Sequence, residues 1–415
     1  MKKKKRRFKI RYVVLSLFAA LLVTVMVFMH FGGFTTGDSA DPKEFAAYAQ
    51  PIENLSVSEN ARIIALGEAT HGNIEFQQLK LEVFQNLVEK HGVRAFALEG
   101  DYGGCEQVNR YIHGGSGTVQ EAAAAIGFAI YRTDEIAKLI SYMRQYNEST
   151  PDGDDIQFYG FDMQRCSYSI QFLVQECKKL NVDTAELEKL LSGEDWNSEF
   201  DTNQRRDVLN RIQTELDGKD NTEKASHYIE VLLQNCELHD TSNSDLRDKY
   251  MAENVIWISN QEQQRDHTSV FISGHNMHVG KLGYDNMGKL LDDELGDNYY
   301  VIGTDFYKTK CNLPNGSSGH RTNQVFYSYD PLAKAAMQAK LDICWLDFSY
   351  ASKSPELSKW ISDYHYMGSL GEGYAFWMRL LPPSYRKFQQ PDEIYDSMIF
   401  VAEATPTVIL NTQSD

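Results

Sequence analysis

Two periods of apolar spacing alternate along this chain. Short apolar runs recur, and five of them end in acid or imidazole groups. Arg62 to Leu66 leads into Gly67-Glu68-Ala69-Thr70-His71-Gly72, and Arg94 to Leu98 into Glu99-Gly100-Asp101. Ile156 to Tyr159 leads into Gly160-Phe161-Asp162, Ser269 to Ile272 into Ser273-Gly274-His275-Asn276-Met277-His278, and Val301-Ile302 into Gly303-Thr304-Asp305. Runs of this length and residue type, closed by glycine, read as buried strands. Between them the spacing turns helical. Ile74 to Lys90 reads as a helix that Asn73 can cap, and Ile136, Leu139, Ile140 and Met143 mark one face of a helix over Thr133 to Asn147. Gly67 and Gly72 allow turns that a Cβ would oppose. Strand and helix alternating from Arg62 to Asp162 predict a parallel sheet with crossover helices. Ligands bind at the carboxyl ends of such strands, so parallel packing would bring these acids and imidazoles onto one rim.

The pattern changes over Ser169 to Asn260, which is polar, charged and almost strandless, with helical spacing around Leu173 to Leu180, Thr184 to Leu191, Gln204 to Leu216 and Glu223 to Cys236. It reads as a helical insertion between two halves of the sheet. A last helix, Leu246 to Gln261, rejoins the core. Asn298 to Gly303, Gln324 to Tyr327, Leu341 to Asp347 and Met398 to Ala402 supply further strands, and Pro42 to Gln50 an edge helix. The expected class is α/β: a mostly parallel sheet flanked by helices, with a helical insertion at about 169–260.

The N-terminus stands apart. MKKKKRRFKIR precedes Tyr12 to Phe31, which carries no acidic or basic residue except His30. About 20 apolar residues span a bilayer as a helix, and a basic flank stays cytoplasmic. The expected layout is a basic tail at 1–11, a transmembrane signal anchor at 12–31, a linker at 32–41 and one extracytoplasmic domain at 42–415. Small residues at Gly37 to Ala40 make a cleaved signal the rival reading. The roughly 375 residues that follow the anchor suffice for a large core. The formal net charge of −17 includes the basic tail, so the domain itself is more acidic still. That excludes a nucleic-acid binder, which needs a basic surface. The six cysteines, Cys105, Cys166, Cys177, Cys236, Cys311 and Cys344, are scattered without CxxC spacing, which fits neither a zinc knuckle nor a disulfide scaffold.

The chemistry on offer is acid, imidazole and guanidinium. Arg247, Met251 and Asn254 share a helix face, placing a guanidinium on an otherwise apolar stripe. It is either a structural partner for a core carboxylate or an anchor for a catalytic Glu or a developing oxyanion. His275 and His278, three apart, share a face if their segment is helical. With Glu68, His71 and Glu99 they could ligate a divalent metal, or a His beside a carboxylate could activate water without one. No GxSxG elbow, HExxH, P-loop or GxGxxG occurs, so neither a serine nucleophile nor a nucleotide cofactor has a motif behind it. Tyr299-Tyr300, Phe326-Tyr327 and Tyr364 to Tyr366 are core candidates, some of which could line a ligand groove.

In combination these motifs resemble the erythromycin esterase family: GEATHG at Gly67 to Gly72, ALEGDYGGCEQVNRYIHG at Ala97 to Gly114, YGFDMQ at Tyr159 to Gln164, RDKYMAEN at Arg247 to Asn254, GHNMHVG at Gly274 to Gly280, and DSMIFVAEATPTVIL at Asp396 to Leu410. The resemblance implies an α/β core with a helical insertion and hydrolysis of a carboxylic ester or macrolide lactone without a serine nucleophile. It implies His71 as the general base with Glu68 beside it, and Glu99, Arg247 and His275 at other active-site positions. It implies no cofactor and a small-molecule ester substrate. A wider, more distant superfamily has metal-binding and proteolytic members, which keeps a metal-dependent hydrolase in play, and a non-catalytic envelope binding protein is the other alternative. Three features depart from the pattern. Asp101-Tyr102-Gly103-Gly104-Cys105 stands where resistance enzymes tend to have a tryptophan-containing variant, Tyr131 stands where a tryptophan is common, and the anchor is atypical of cytosolic resistance enzymes.

Overall fold

A computed structural model describes residues 2–410 except 31–37, 152, 192–201, 242–243, 282, 284 and 317. Most of the linker expected at 32–41 therefore lies outside the described residues. The helices of the first two thirds are α1 (Lys2–His30), α2 (Pro42–Tyr48), α3 (Ile74–His91), α4 (Tyr102–Ile112), α5 (Val119–Ala125) and α6 (Asp134–Glu148), then α7 (Ser167–Lys179), α8 (Ala185–Leu191), α9 (Thr202–Leu216), α10 (Glu223–Thr241), α11 (Ser244–Gln264) and α12 (Asn276–Val279). The strands are β1 (Ile63–Glu68), β2 (Ala95–Asp101), β3 (Gln157–Asp162), β4 (Val270–His275), β5 (Tyr299–Pro314), β6 (Arg321–Tyr327), β7 (Ile343–Asp347), β8 (His365–Gly368), β9 (Arg386–Gln389) and β10 (Ser397–Ala404).

The main sheet runs β3-β2-β4-β1-β5-β10-β7, with β6 folded onto the far half of β5. Every pairing from β3 to β10 along that order is parallel; β7 on β10 and β6 on β5 are antiparallel. This is the mostly parallel, helix-flanked α/β architecture that the apolar runs predict. Burial explains their composition: all six residues of β1 and of β4 are buried, as strands covered on both faces must be. Alternate residues feed the two layers. Ile63 and Ala65 pack with the α7–α11 side, while Ile64 and Leu66 pack with α3 and α6. Among the described residues five helices, α7 to α11, intervene between β3 and β4.

Several local expectations are corrected. Asn73 stands at the N-cap of α3 but does not cap it. Its amide instead bonds the carbonyls of Lys310 and Thr405 and the Thr309 hydroxyl, sewing the loop to β5 and the C-terminal strand. Gly67 and Gly72 do not need a glycine φ. They are there for close approach: a Cβ on Gly67 would lie 2.1 Å from Asn276 Oδ1, and one on Gly72 would lie 2.7 Å from the Asn312 carbonyl oxygen. The run Val301-Ile302 does not end at Asp305, because β5 continues to Pro314. The strands β8 and β9, a separate two-stranded sheet, lie in the Tyr-rich C-terminal segment, where the reading placed no strand. All six cysteines are buried, and none forms a disulfide among the described residues. In α1, Ile10–Phe28 is long and apolar enough to cross a membrane, with mean hydropathy 2.3.

Candidate active site

Register brings the rim together. Glu68 pairs with His275 across β1 and β4, and Asp101 with Asp162 across β2 and β3. Four of the five strand endings thus converge. The fifth does not: Asp305 is buried away from the cavity, where its carboxylate accepts from the backbone N–H of Phe306 and Gly368. Because β5 runs on past the rim, its acid is spent on holding β8 rather than on a site.

Glu68, at the end of β1, is almost fully buried between two nitrogen partners. Its Oε1 lies 2.7 Å from His71 Nδ1 and its Oε2 2.8 Å from Lys80 Nζ, on α3. Burial pushes this carboxyl up, but Lys80 and His71 outweigh it and hold the acid at about 2. Burial likewise pulls His71 down, yet Glu68, then Glu99 and Glu372, leave it raised above its ordinary 6.5. With Nδ1 committed to Glu68, Nε2 is the nitrogen His71 has for a ligand. The ring lines a cavity of about 390 Å³ that it shares with Glu99, Arg247, His275, His278, Gln164 and the lip residues Phe128 to Ile130, Gly371 and Glu372.

His275 is differently employed. Its Nε2 donates to the Leu370 carbonyl at 3.2 Å, while Nδ1 accepts from the Met277 N–H at 3.3 Å. Both bonds suit one neutral tautomer. Burial, then His71 and His278, drive its pKa down to about 3. His275 therefore stays uncharged beside His71, their ring centroids 4.9 Å apart.

Arg247, from α11, bridges the two acids on its side. Its Nη2 reaches Glu99 Oε1 at 2.8 Å and Asp162 Oδ2 at 2.7 Å. Glu99 also accepts the His275 backbone N–H at 2.8 Å. Burial raises Glu99, but His278 and Arg247 pull it far below the usual carboxylate range. Burial works against the Arg247 cation, and Asp162 and Glu99 more than restore it. The sequence left Arg247 either a structural partner for a core carboxylate or an anchor for a catalytic Glu or an oxyanion; in the structure it pairs with two acids and also lines the cavity. His278 sits on α12, whereas His275 closes β4, so they do not share a helical face. His278 Nδ1 bonds Asp248 at 2.7 Å, and Nε2 stands 3.1 Å from Arg247 Nη1 and 3.4 Å from Glu99. Neutral His278 accepts from Arg247; protonated, its Nε2–H can donate to Glu99 instead.

The five side chains offered to a metal do not fit one. Glu68 is held by Lys80 and His71, Glu99 by Arg247, both nitrogens of His275 are taken, and Nδ1 of His71 and His278 face carboxylates. Among the described residues no cluster of three or more His, Cys, Asp or Glu could hold a metal ion. The sequence reading passed over Lys80 and Asp248 and gave Asp162 no role. For Lys80 the signal was present: Phe76, Lys80, Val83 and Leu87 follow the 4-3-4 spacing of a buried stripe. Tyr131 is fully buried, and its hydroxyl has no hydrogen-bond partner among the described residues. Burial, with Glu68 and Glu99 adding to it, raises its pKa and keeps it neutral. A second cleft, about 330 Å³, borders the outer edge of β3 beside Tyr102, Tyr159 and Trp257, and no imidazole lines it.

Comparison with known proteins identifies the fold and the family. A putative hydrolase of Bacillus subtilis is 23% identical over 94% of this chain and 98% of its own length. An erythromycin esterase type II of Escherichia coli is 25% identical over 60% of this chain and 70% of its own. The fold matches a crystal structure of a succinoglycan biosynthesis protein with a TM-score of 0.74 at 19% identity, over 89% of this chain and 98% of that one. It matches an erythromycin esterase mutant in its open conformation with a TM-score of 0.62 at 17% identity, over 85% and 93%. The family model described as erythromycin esterase matches residues 88–404, from the end of α3 through β10 and across Glu99, Arg247 and His275. This chain belongs to the erythromycin esterase family.

Proposed function

We propose that this chain is a membrane-anchored, exported carboxylic-ester hydrolase in which His71 activates water. The observation that carries the reading is the Glu68–His71 pair, 2.7 Å apart, with the second imidazole nitrogen left for the cavity. A raised His with a buried carboxylate behind it can take a proton and hold the imidazolium. The water oxygen adds to the acyl carbon and its proton passes to His71 Nε2. The oxyanion that forms is stabilised by the Arg247 guanidinium. The C–O bond to the alcohol then breaks, and the alkoxide recovers the proton from His71. A lactone opens to a hydroxy acid by the same steps. Glu99 and Asp162 fix the guanidinium, and neutral His275 adds no second positive charge beside the base.

The anchor rests on the basic N-terminal run followed by Ile10–Phe28, which by the positive-inside rule leaves the catalytic domain outside the cytoplasm. The metal-dependent alternative is disfavoured by the occupied donor atoms. The test is mass-spectrometric turnover by the full chain and by His71→Ala, on a panel of macrolide lactones and simple carboxylic esters, with and without chelator. Addition of one water by the unmodified chain alone, unaffected by chelator, is the expected result. Turnover that persists in His71→Ala, or disappears with chelator, would overturn the mechanism. Turnover of nothing while ligands still bind would favour a binding protein.

A further inference from the structure

The lip of the cavity carries an apolar patch that the reaction does not use. Leu370 to Glu372 close one side of the site, and the chain then runs through Tyr374 into the short 3-10 turn Phe376–Leu380. Tyr374 is buried and doubly tied, its N–H donating to the Pro314 carbonyl and its carbonyl accepting from Gly316 N–H. Tyr385, on the far side, is buried against Phe326. Between these two fixed points Phe376 is 74% exposed, Trp377 46% and Leu381 42%. The segment thus has firm roots and large apolar side chains aimed into solvent, where a water-soluble surface would place polar ones.

The same turn lies against α1. Over Ile10–Phe28 every residue is exposed except Met26, so the contact is with the domain-proximal end of the helix. The patch therefore stands where an anchor helix would leave the bilayer. Trp and Phe at that level are the residues that partition into the lipid interface. The acidic balance of the chain argues that apolar burial, and not attraction to anionic headgroups, would hold it there.

We propose that the Phe376–Leu381 turn dips into the membrane beside the anchor, and that the site behind it takes an ester carried in the bilayer, with an apolar acyl chain. The proposal rests on the anchored-hydrolase reading, deepening it to a substrate class. An ester entering along the turn would meet the lip at Glu372 and Gly371 and present its acyl carbon to the cavity without crossing bulk water.

The test uses the full chain reconstituted into phosphatidylcholine vesicles. Bromine on the lipid acyl chains quenches nearby indoles, so wild-type emission should fall more than that of Trp377→Phe. In the same vesicles, Phe376→Ser with Trp377→Ser should hydrolyse bilayer-held p-nitrophenyl palmitate at least tenfold more slowly than wild type, while soluble p-nitrophenyl acetate is cleaved at the wild-type rate. Equal quenching in wild type and Trp377→Phe, or undiminished palmitate turnover in the double variant, would overturn the proposal. Failure of the chain to float with the vesicles would sink the anchor and this proposal together. Hydrolysis of neither ester by wild type, with Trp377 still quenched, would remove the hydrolase reading and retain the turn as a membrane contact.

Discussion

Two of the carboxylate–imidazole pairs among the described residues make a contrast, because one faces the cavity and the other does not. Glu68 and His71 meet at 2.7 Å on the rim of β1, and Asp330 and His365 at 3.0 Å beneath β8. As pairs they are nearly alike. They differ in what the second nitrogen does. His365 Nδ1 lies 3.1 Å from the Asp363 carbonyl, so the ring is used up, whereas His71 lines open space. They differ too in how the acid is balanced. Glu68 has the buried Lys80 as a second partner, while Asp330 has a carboxylate neighbour, Asp305, which burial and then Asp330 push well above the usual range. A pair becomes a base only where one ring nitrogen is left over and the acid is held charged; otherwise the same two groups are a fastening.

The sharpest way to break the comparison is to delete each imidazole. His71→Ala should cost about 10²–10⁴-fold in turnover, the usual worth of a general base, with little loss in melting temperature. His365→Ala should do the reverse, keeping turnover and lowering the melting midpoint, because it strands Asp330. Steady-state kinetics beside thermal denaturation decide it, and equal loss of turnover in both would erase the distinction.

Next is the acid's second partner. Lys80→Met leaves Glu68 buried with His71 alone and should cost about 3–5 kcal/mol in urea unfolding, as for other broken buried pairs. The sign with pH follows from the shift. Glu68 is held at about 2 in the folded chain against an ordinary 4.5, so its contribution is present above pH 4.5 and drains away as pH falls toward 2. Lys80→Met should flatten that acid limb; an unchanged limb would show that Lys80 does not set the balance.

The smallest effect is a shift of profile. His71 works unprotonated and its pKa is raised, so kcat/KM should climb with pH along a limb centred above 6.5. Glu68→Gln removes the charge that raises it and should move the limb to lower pH, alongside a lower plateau. A limb that stays in place would separate Glu68 from the titrating group.

What the sequence revealed follows from what periodicity encodes. The runs ending at Glu68, Glu99, Asp162 and His275 were legible because strands buried on both faces read as uninterrupted apolar stretches, and parallel packing aligns their ends. Asp305 looked identical in sequence, since nothing local tells a strand that stops from one that continues to Pro314. Lys80 was hidden by its type: a lysine on a helix reads as solvated unless its place on the Phe76–Val83–Leu87 stripe is weighed first. The engagement of both His275 nitrogens depends on Leu370, 95 positions away, and no spacing rule reaches that far.

That residue has one more consequence. The Leu370 N–H donates to the Ala69 carbonyl at 2.8 Å, while its own carbonyl takes the His275 proton. One residue, through two successive peptide groups, is therefore riveted to both the loop that bears His71 and the strand beside it. Any molecule that pries this side of the mouth apart must also disturb the His71 loop and the His275 ring. Among the described residues the opposite jamb, the turn at Phe128 to Ile130, carries no such rivet to either imidazole, so accommodation of a bulkier guest would fall to it. The gate would then be hinged on one side only.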